Sequence, residues 1–349
     1  GAFAMDRTFG LPPLSQMDPV KLGSTGLRVS PLGFGCMGIT AFYGPPMQDE
    51  DALELLHGAH GLGYTHFDTA EAYRSTDGKQ HNEELLGRFL QSLPRTSFTV
   101  ATKYMPSLHG GKYDLETVEA AVDASLSRLQ LDSIDLYYCH RMPETVDLVQ
   151  EWMTSMTSIV AKGKVKHVGL SEVGPKFLRL AHEVHPVACI QQEWSLFSRN
   201  LEDSLVHTCK ELGVGVVAYS PLARCLLANP EQPPKDWRAG AVPRFSGENF
   251  ARNKEVVGRV DALASIRGAS AAQLSLAWLC NQAHVMGVEM VPIPGTTQLL
   301  HAAENAAALR LTITEKEQNE LLELSVLVAG ARGKEGYLKE GMEGQLGMA

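Results

Sequence analysis

Gly33-Phe34-Gly35-Cys36-Met37-Gly38-Ile39-Thr40-Ala41-Phe42-Tyr43-Gly44-Pro45-Pro46 is the stretch that separates two architectures. Its first six residues satisfy G-x-G-x-x-G, the fingerprint of a dinucleotide-binding βαβ unit. That fingerprint works only where it opens a helix whose N-terminus receives a pyrophosphate. Here Gly38 runs into Ile39 to Pro46, with no helical continuation expected. No acidic residue closes a second strand about 20 positions on, because Asp49 to Asp51 open a helix instead. The match is a decoy.

Around this stretch, short β-rich apolar runs alternate with longer helical patterns from about residue 30 to residue 305. Strands are expected at 32–36, 65–70, 99–103, 134–140, 167–171, 189–194, 215–221 and 288–294. Helices are expected at 50–62, 82–92, 114–129, 146–162, 175–184, 202–212, 269–282 and 299–308. Within 114–129, Leu115, Val118, Val122, Leu126 and Leu129 recur at helical spacing and define an apolar face. Eight strand–helix repeats predict an α/β protein with a single (β/α)8 TIM barrel. Residues 21–31 read as an N-terminal hairpin turning at Ser24-Thr25-Gly26, and 222–250 as a long Pro/Gly-bearing loop after the seventh barrel strand. The expected division is 1–16 as a tag remnant or disordered N-terminus, 17–330 as the barrel, and 331–349 as a C-terminal tail.

Composition narrows the function classes. The 349 residues carry 31 Lys+Arg against 40 Asp+Glu, a formal charge of −9, and no dense basic run. Nucleic acid is therefore not an expected partner. No 18-residue uncharged apolar run exists, so no membrane span is expected. Six scattered cysteines, without a C-x-x-C pair, fit buried reduced thiols rather than disulfides or a metal site, and imply a cytoplasmic address.

In (β/α)8 enzymes the chemistry sits at the C-terminal ends of the strands. Asp68, Lys103 and His140 fall at three such ends, and Tyr73 lies in the loop after Asp68. Singly, these are a cap, a solvated amine, a structural histidine and a packing ring; their convergence on one rim is what gives them meaning. Reducing a carbonyl requires hydride on carbon and a proton on oxygen. Tyrosine can give the proton, but its pKa near 10 is high for work at neutrality. A lysine about 4 Å away interacts by roughly 4 kcal/mol at an effective dielectric of about 20. Lowering the pKa by two units takes only about 2.7 kcal/mol. Lys103 is thus expected to make Tyr73 more acidic, with Asp68 fixing Lys103 and His140 orienting the carbonyl oxygen. No metal is needed.

The sequence resembles the aldo-keto reductase superfamily, in its plant- and fungal-type branch. The resemblance rests on LGFGCMGITAFYGPP (32–46), FDTAEAY (67–73), NEELLG (82–87), GKVKHVGLSE (163–172), AYSPL (218–222), PRFSGENF (243–250) and VPIPGTTQ…AEN (291–305). It implies reduction of an aldehyde or ketone by NAD(P)H, with Asp68, Tyr73, Lys103 and His140 as the catalytic tetrad. It also implies cofactor contacts from Gly38, Ser171, Gln191 and Tyr219, the last stacking on the nicotinamide. Ser220, Leu222 and Arg224 would touch the pyrophosphate, and Gly295, Thr296, Gln298, Glu304 and Asn305 the adenosine side. Phe42, Tyr43, Tyr104 and Arg141 are candidate pocket residues for a small-molecule carbonyl substrate. The branch implies a monomer and NADP (NADPH).

Four departures stand out. Thr297-Gln298 replace the basic residues that usually hold the 2′-phosphate, so NAD becomes an admissible cofactor. Ala223-Arg224-Cys225 replaces a Gly-Arg-Gly loop, and its Cβ atoms are expected to divert the backbone. Met142-Pro143-Glu144-Thr145 is shorter than usual, and Trp194 stands where Tyr is common. Two other readings remain open: a cofactor-binding regulatory protein with little turnover, or a same-fold enzyme of secondary metabolism running another reaction.

Overall fold

The computed structural model describes Leu14 and residues 17–346; the expectation for 1–16 otherwise lies outside the described residues. Ten strands are present among them. β1 (Val20–Lys21) and β2 (Arg28–Val29) form the antiparallel hairpin. β3 (Phe34–Gly35), β4 (His66–Asp68), β5 (Thr99–Tyr104), β6 (Ile134–Cys139), β7 (Val165–Ser171), β8 (Val187–Glu193), β9 (Gly215–Tyr219) and β10 (Met290–Pro292) form one parallel sheet in chain order. Gly33 N donates to Pro292 O at 3.0 Å and Gly35 N to Pro294 O at 3.3 Å, bringing the first and last strands together as a barrel.

That seam explains the decoy motif. A Cβ on Gly35 would stand 2.7 Å from Ile293 O, and one on Gly295 2.5 Å from Gly35 O. Here glycine permits two backbones to approach rather than cradling a phosphate.

The helices fall close to their expected spans, at Asp49–Gly61, Asn82–Leu90, Leu115–Leu129, Val146–Ala161, Pro175–Val184, Leu205–Leu212, Ala271–Met286 and Leu299–Ala308. Asp114 caps the third of these by accepting from Thr117 N at 3.0 Å. Val118, Val122 and Leu129 bury its apolar face, whereas Leu115, in the first turn, is 36% exposed. Two expectations need correction. Met37–Thr40 does form one helical turn, overlapping the end of the decoy and terminated by the extended Ala41 before Phe42 at φ 69°. The 222–250 loop contains the short helix Arg238–Ala241 and runs into a long helix, Gly247–Ile266. Within 331–349, Glu335–Glu340 and Met342–Leu346 are helical.

The two ends of the barrel differ. Leu22, Leu27 and Val29 of the hairpin pack against the interior residues Ala101, Leu136, Ala188, Val217 and Val291. Ser24 N is bonded to Gly213 O, just before β9, so the hairpin stoppers the N-terminal end. The rim at the opposite end is left for chemistry. Among the described residues, no helix is long and apolar enough to cross a membrane.

Candidate active site

The alternation of β5 sets the site. Successive side chains on a strand point to opposite faces. Lys103 therefore enters the barrel while Tyr104 enters the layer between strands and helices. Lys103 is fully buried and its Nζ donates to Asp68 Oδ1, at the end of β4, and to Thr69 O at 2.6 Å. Its ammonium lies 5.1 Å from the centre of the Tyr73 ring. His140, just past β6, stands edge-to-face to Tyr73 with ring centres 5.8 Å apart. The four residues converge from four segments onto one rim.

Their charge states follow from burial and neighbours. Burial pushes the Lys103 pKa down, but Asp68 and Tyr73 outweigh it, so the amine is held above its ordinary value. Burial also pushes Tyr73 up, and this exceeds the lowering by Lys103. The expected net acidification of Tyr73 is therefore not found: desolvation of a phenolate outweighs the lysine's attraction, and Tyr73 is a protonated phenol at neutrality. Burial, reinforced by Arg141 and Lys103, holds His140 well below its usual range. It is a neutral imidazole, and its Nδ1 is buried without a hydrogen-bond partner among the described residues. A neutral imidazole has one N–H to give, and no acceptor among the described residues takes it.

The remaining expected residues divide. Gln191 donates to Asp68 Oδ2 at 2.7 Å, so in this structure it steadies the carboxylate that steadies Lys103. Ser171, paired with Gln191 in the β7–β8 register, has a hydroxyl without a partner among the described residues. Gly38 lies beside the Tyr43 ring. Leu222 packs partly into the core. Ser220, Ala223, Arg224 and Cys225 all take left-handed φ values of 47–74°, so the Cβ atoms have not removed a left-handed turn. Gly295, Thr296 and Gln298 lead into helix Leu299–Ala308, which carries Glu304 and Asn305. Thr296 Oγ1 accepts from Gln298 N at 3.0 Å.

Tyr104 does not belong to the pocket. It is fully buried, stacks on Trp152 at 5.2 Å and on His109 at 4.7 Å, and donates to Lys112 O. Phe42 and Tyr43 do meet at the rim, each 6.2 Å from Trp237. Phe42 also stands 6.3 Å from Tyr73. Trp237 was missed because nothing periodic marks it within a Pro-rich loop. Trp194 packs fully buried, donating to Glu202 Oε1 at 2.9 Å.

The tail supplies the other missed residues. Arg332 forms a fork to Glu172, at 3.2 and 2.7 Å, and reaches Glu193 at 3.4 Å. Glu193 also pairs with Arg224 at 3.1 Å. Tyr219 donates to Glu172 at 2.6 Å, so the 2.6 Å contact between the Tyr219 and Tyr337 hydroxyls has Tyr337 as its donor. Burial opposes ionisation of Glu172, yet Arg332 and its neighbours hold that carboxyl below its ordinary value.

Comparison with known proteins places this geometry. Residues 31–325 match the aldo/keto reductase family. A probable aldo-keto reductase 1 from Glycine max is 40% identical over 328 residues, 91% of this chain and 92% of that one. A thermostable aldo-keto reductase solved with the inhibitor epalrestat superposes with a TM-score of 0.71 at 29% identity, covering 88% of this chain and all of the other. An aldo-keto reductase from Klebsiella pneumoniae, solved with NADPH, gives 0.69 at 25% identity, over 91% and 98%. A barrel stoppered at one end and a buried Lys–Asp pair beside a tyrosine at the other thus occur in a chain that belongs to the aldo/keto reductase family.

Proposed function

We propose that this protein reduces an aldehyde or ketone to the alcohol, with NAD(P)H as reductant and Tyr73 as proton donor. The observation that carries the reading is the buried Asp68–Lys103 pair, with its ammonium 5.1 Å from the Tyr73 ring and a neutral His140 edge-to-face to that ring. The bound cofactor would supply hydride to the carbonyl carbon. Tyr73 gives its hydroxyl proton to the carbonyl oxygen and is reprotonated from solvent, so one hydride and one proton are consumed per alcohol formed. Lys103, held charged by Asp68, stabilises the phenolate left behind. His140 spends its free N–H on the carbonyl oxygen and fixes its direction.

The residues present fit such a cofactor. The unpartnered Ser171 hydroxyl could take a carboxamide, and the buried Arg224 Nε, also without a partner among the described residues, could take a phosphate oxygen. Thr296 and Gln298 stand at the N-terminus of a ten-residue helix, where amides attract anions. Thr297, Gln298 and His301 are exposed and no lysine or arginine stands among them, which favours a reduced preference for NADPH.

Absorbance at 340 nm with a panel of aldehydes tests the proposal. Tyr73→Phe is expected to lower kcat by about 10³-fold, the scale of a lost general acid. Turnover retained within tenfold would remove Tyr73 from the mechanism. One observation favours a second reading, a cofactor-binding protein with little turnover: Tyr337 holds the Tyr219 hydroxyl at the site where the nicotinamide would stack. Cofactor binding without absorbance loss for any aldehyde would select it.

A further inference from the structure

Cations crowd the rim, and nearly all are spent. Arg224 faces Glu193, Arg332 faces Glu172 and Glu193, and Arg238 faces Asp236 at 2.6 Å. Arg244 makes no ion pair among the described residues but donates to Ser198 Oγ, Phe197 O and Gly330 O. Arg141 is the exception. This half-buried side chain follows His140 directly, and its only hydrogen bond among the described residues runs to the His140 carbonyl at 2.6 Å. A guanidinium has five N–H donors. Among the described residues no carboxylate lies within ion-pair distance of Arg141: Glu172 acts on it only from further off, and the guanidinium lies 5.6 Å from the centre of the Tyr337 ring. Its charge also reaches the reacting groups: it reinforces the burial that keeps His140 neutral and partly offsets the burial that raises Tyr73.

A charged guanidinium with most of its donors unspent, beside a proton donor, offers an anion a ready partner. Uncharged aldehydes would not supply one. We infer that Arg141 is a specificity-determining residue that selects carbonyl substrates bearing a carboxylate, which it grips while the carbonyl oxygen lies between Tyr73 and His140. The inference rests on the carbonyl-reductase reading and deepens it by naming the substrate class. Planar, two-pronged donation matches a carboxylate better than a point charge would.

The test pairs 4-carboxybenzaldehyde with its methyl ester, equal in reacting group and differing in charge. The full-length protein is expected to favour the acid by about tenfold or more in kcat/KM, mainly through KM. Arg141→Gln should bring the ratio to about one, and Arg141→Lys should restore part of it. Because each ratio is taken within one protein, a general loss of activity does not imitate the effect. A turnover-independent measurement accompanies it: calorimetric binding of 4-(hydroxymethyl)benzoate and its methyl ester to the NADP-loaded protein. If neither aldehyde is reduced but the acid still binds about tenfold tighter through Arg141, the reductase reading fails and the anion site stands. Equal handling of acid and ester in both measurements, or a preference that survives Arg141→Gln, overturns the inference. A variant that loses cofactor affinity while keeping the substrate ratio would likewise overturn it, by assigning Arg141 to the cofactor.

Discussion

At the residue scale the site works through desolvation. His140 and His66 are both buried imidazoles held neutral, the second pushed down to about 4 by burial. His66 shares a hydrogen bond with Thr99 Oγ1 at 2.9 Å, and its Nε2 has no partner among the described residues. Above pH 6.5 the ring is neutral folded or unfolded and stability does not depend on it. Below 6.5 the unfolded chain takes up the proton first, so stability falls by about 1.4 kcal/mol per pH unit until the folded ring titrates near 4. His66→Asn, which can keep the Thr99 bond, should flatten the acid limb of urea-unfolding free energy between pH 6.5 and 5. An unchanged limb would mean that carboxylates, not this ring, set acid stability. Asp68, Lys103 and His140 were legible because strand ends announce themselves. Tyr104 follows Lys103 in sequence, yet strand alternation turns its ring away from the rim.

At the element scale, helix Leu299–Ala308 and the turn before it form the surface most open to change. Thr296 and Gln298 bond each other there, and Thr297 is exposed. A lysine at 297 could add one charge-assisted contact to a 2′-phosphate. Thr297→Lys is expected to tighten NADPH binding by about tenfold, with NADH affected less than about twofold, in fluorescence titrations at one ionic strength. A wild-type preference for NADPH already above about a hundredfold would show that other groups hold the phosphate. Apolar period and caps made the outer helices readable. The single turn Met37–Thr40 and the helix Gly247–Ile266 were not, since one turn is too short to show a period and the other emerges from a Pro-bearing loop.

Across the whole molecule, the tail and the barrel share one set of charges. Glu172 and Glu193 are buried on β7 and β8 loops or ends, and Arg332 comes from far along the chain to meet them. Removing one partner of a buried pair typically costs about 3–5 kcal/mol. Arg332→Met should therefore destabilise the protein by about 3 kcal/mol in urea melts, far beyond a surface substitution. A change below about 0.5 kcal/mol would show that water replaces the arginine readily. The barrel was readable from repetition alone. The tail was not, because a lone Arg and a lone Tyr carry no pattern until tertiary structure gives them partners.

A practical corollary concerns how the protein is handled. Met342 N and the Gln345 amide both bind Glu172, the first at 3.3 Å and the second through its carbonyl at 2.9 Å. A purification handle or fusion partner joined downstream would pull on these anchors and report on its own linker as much as on the enzyme.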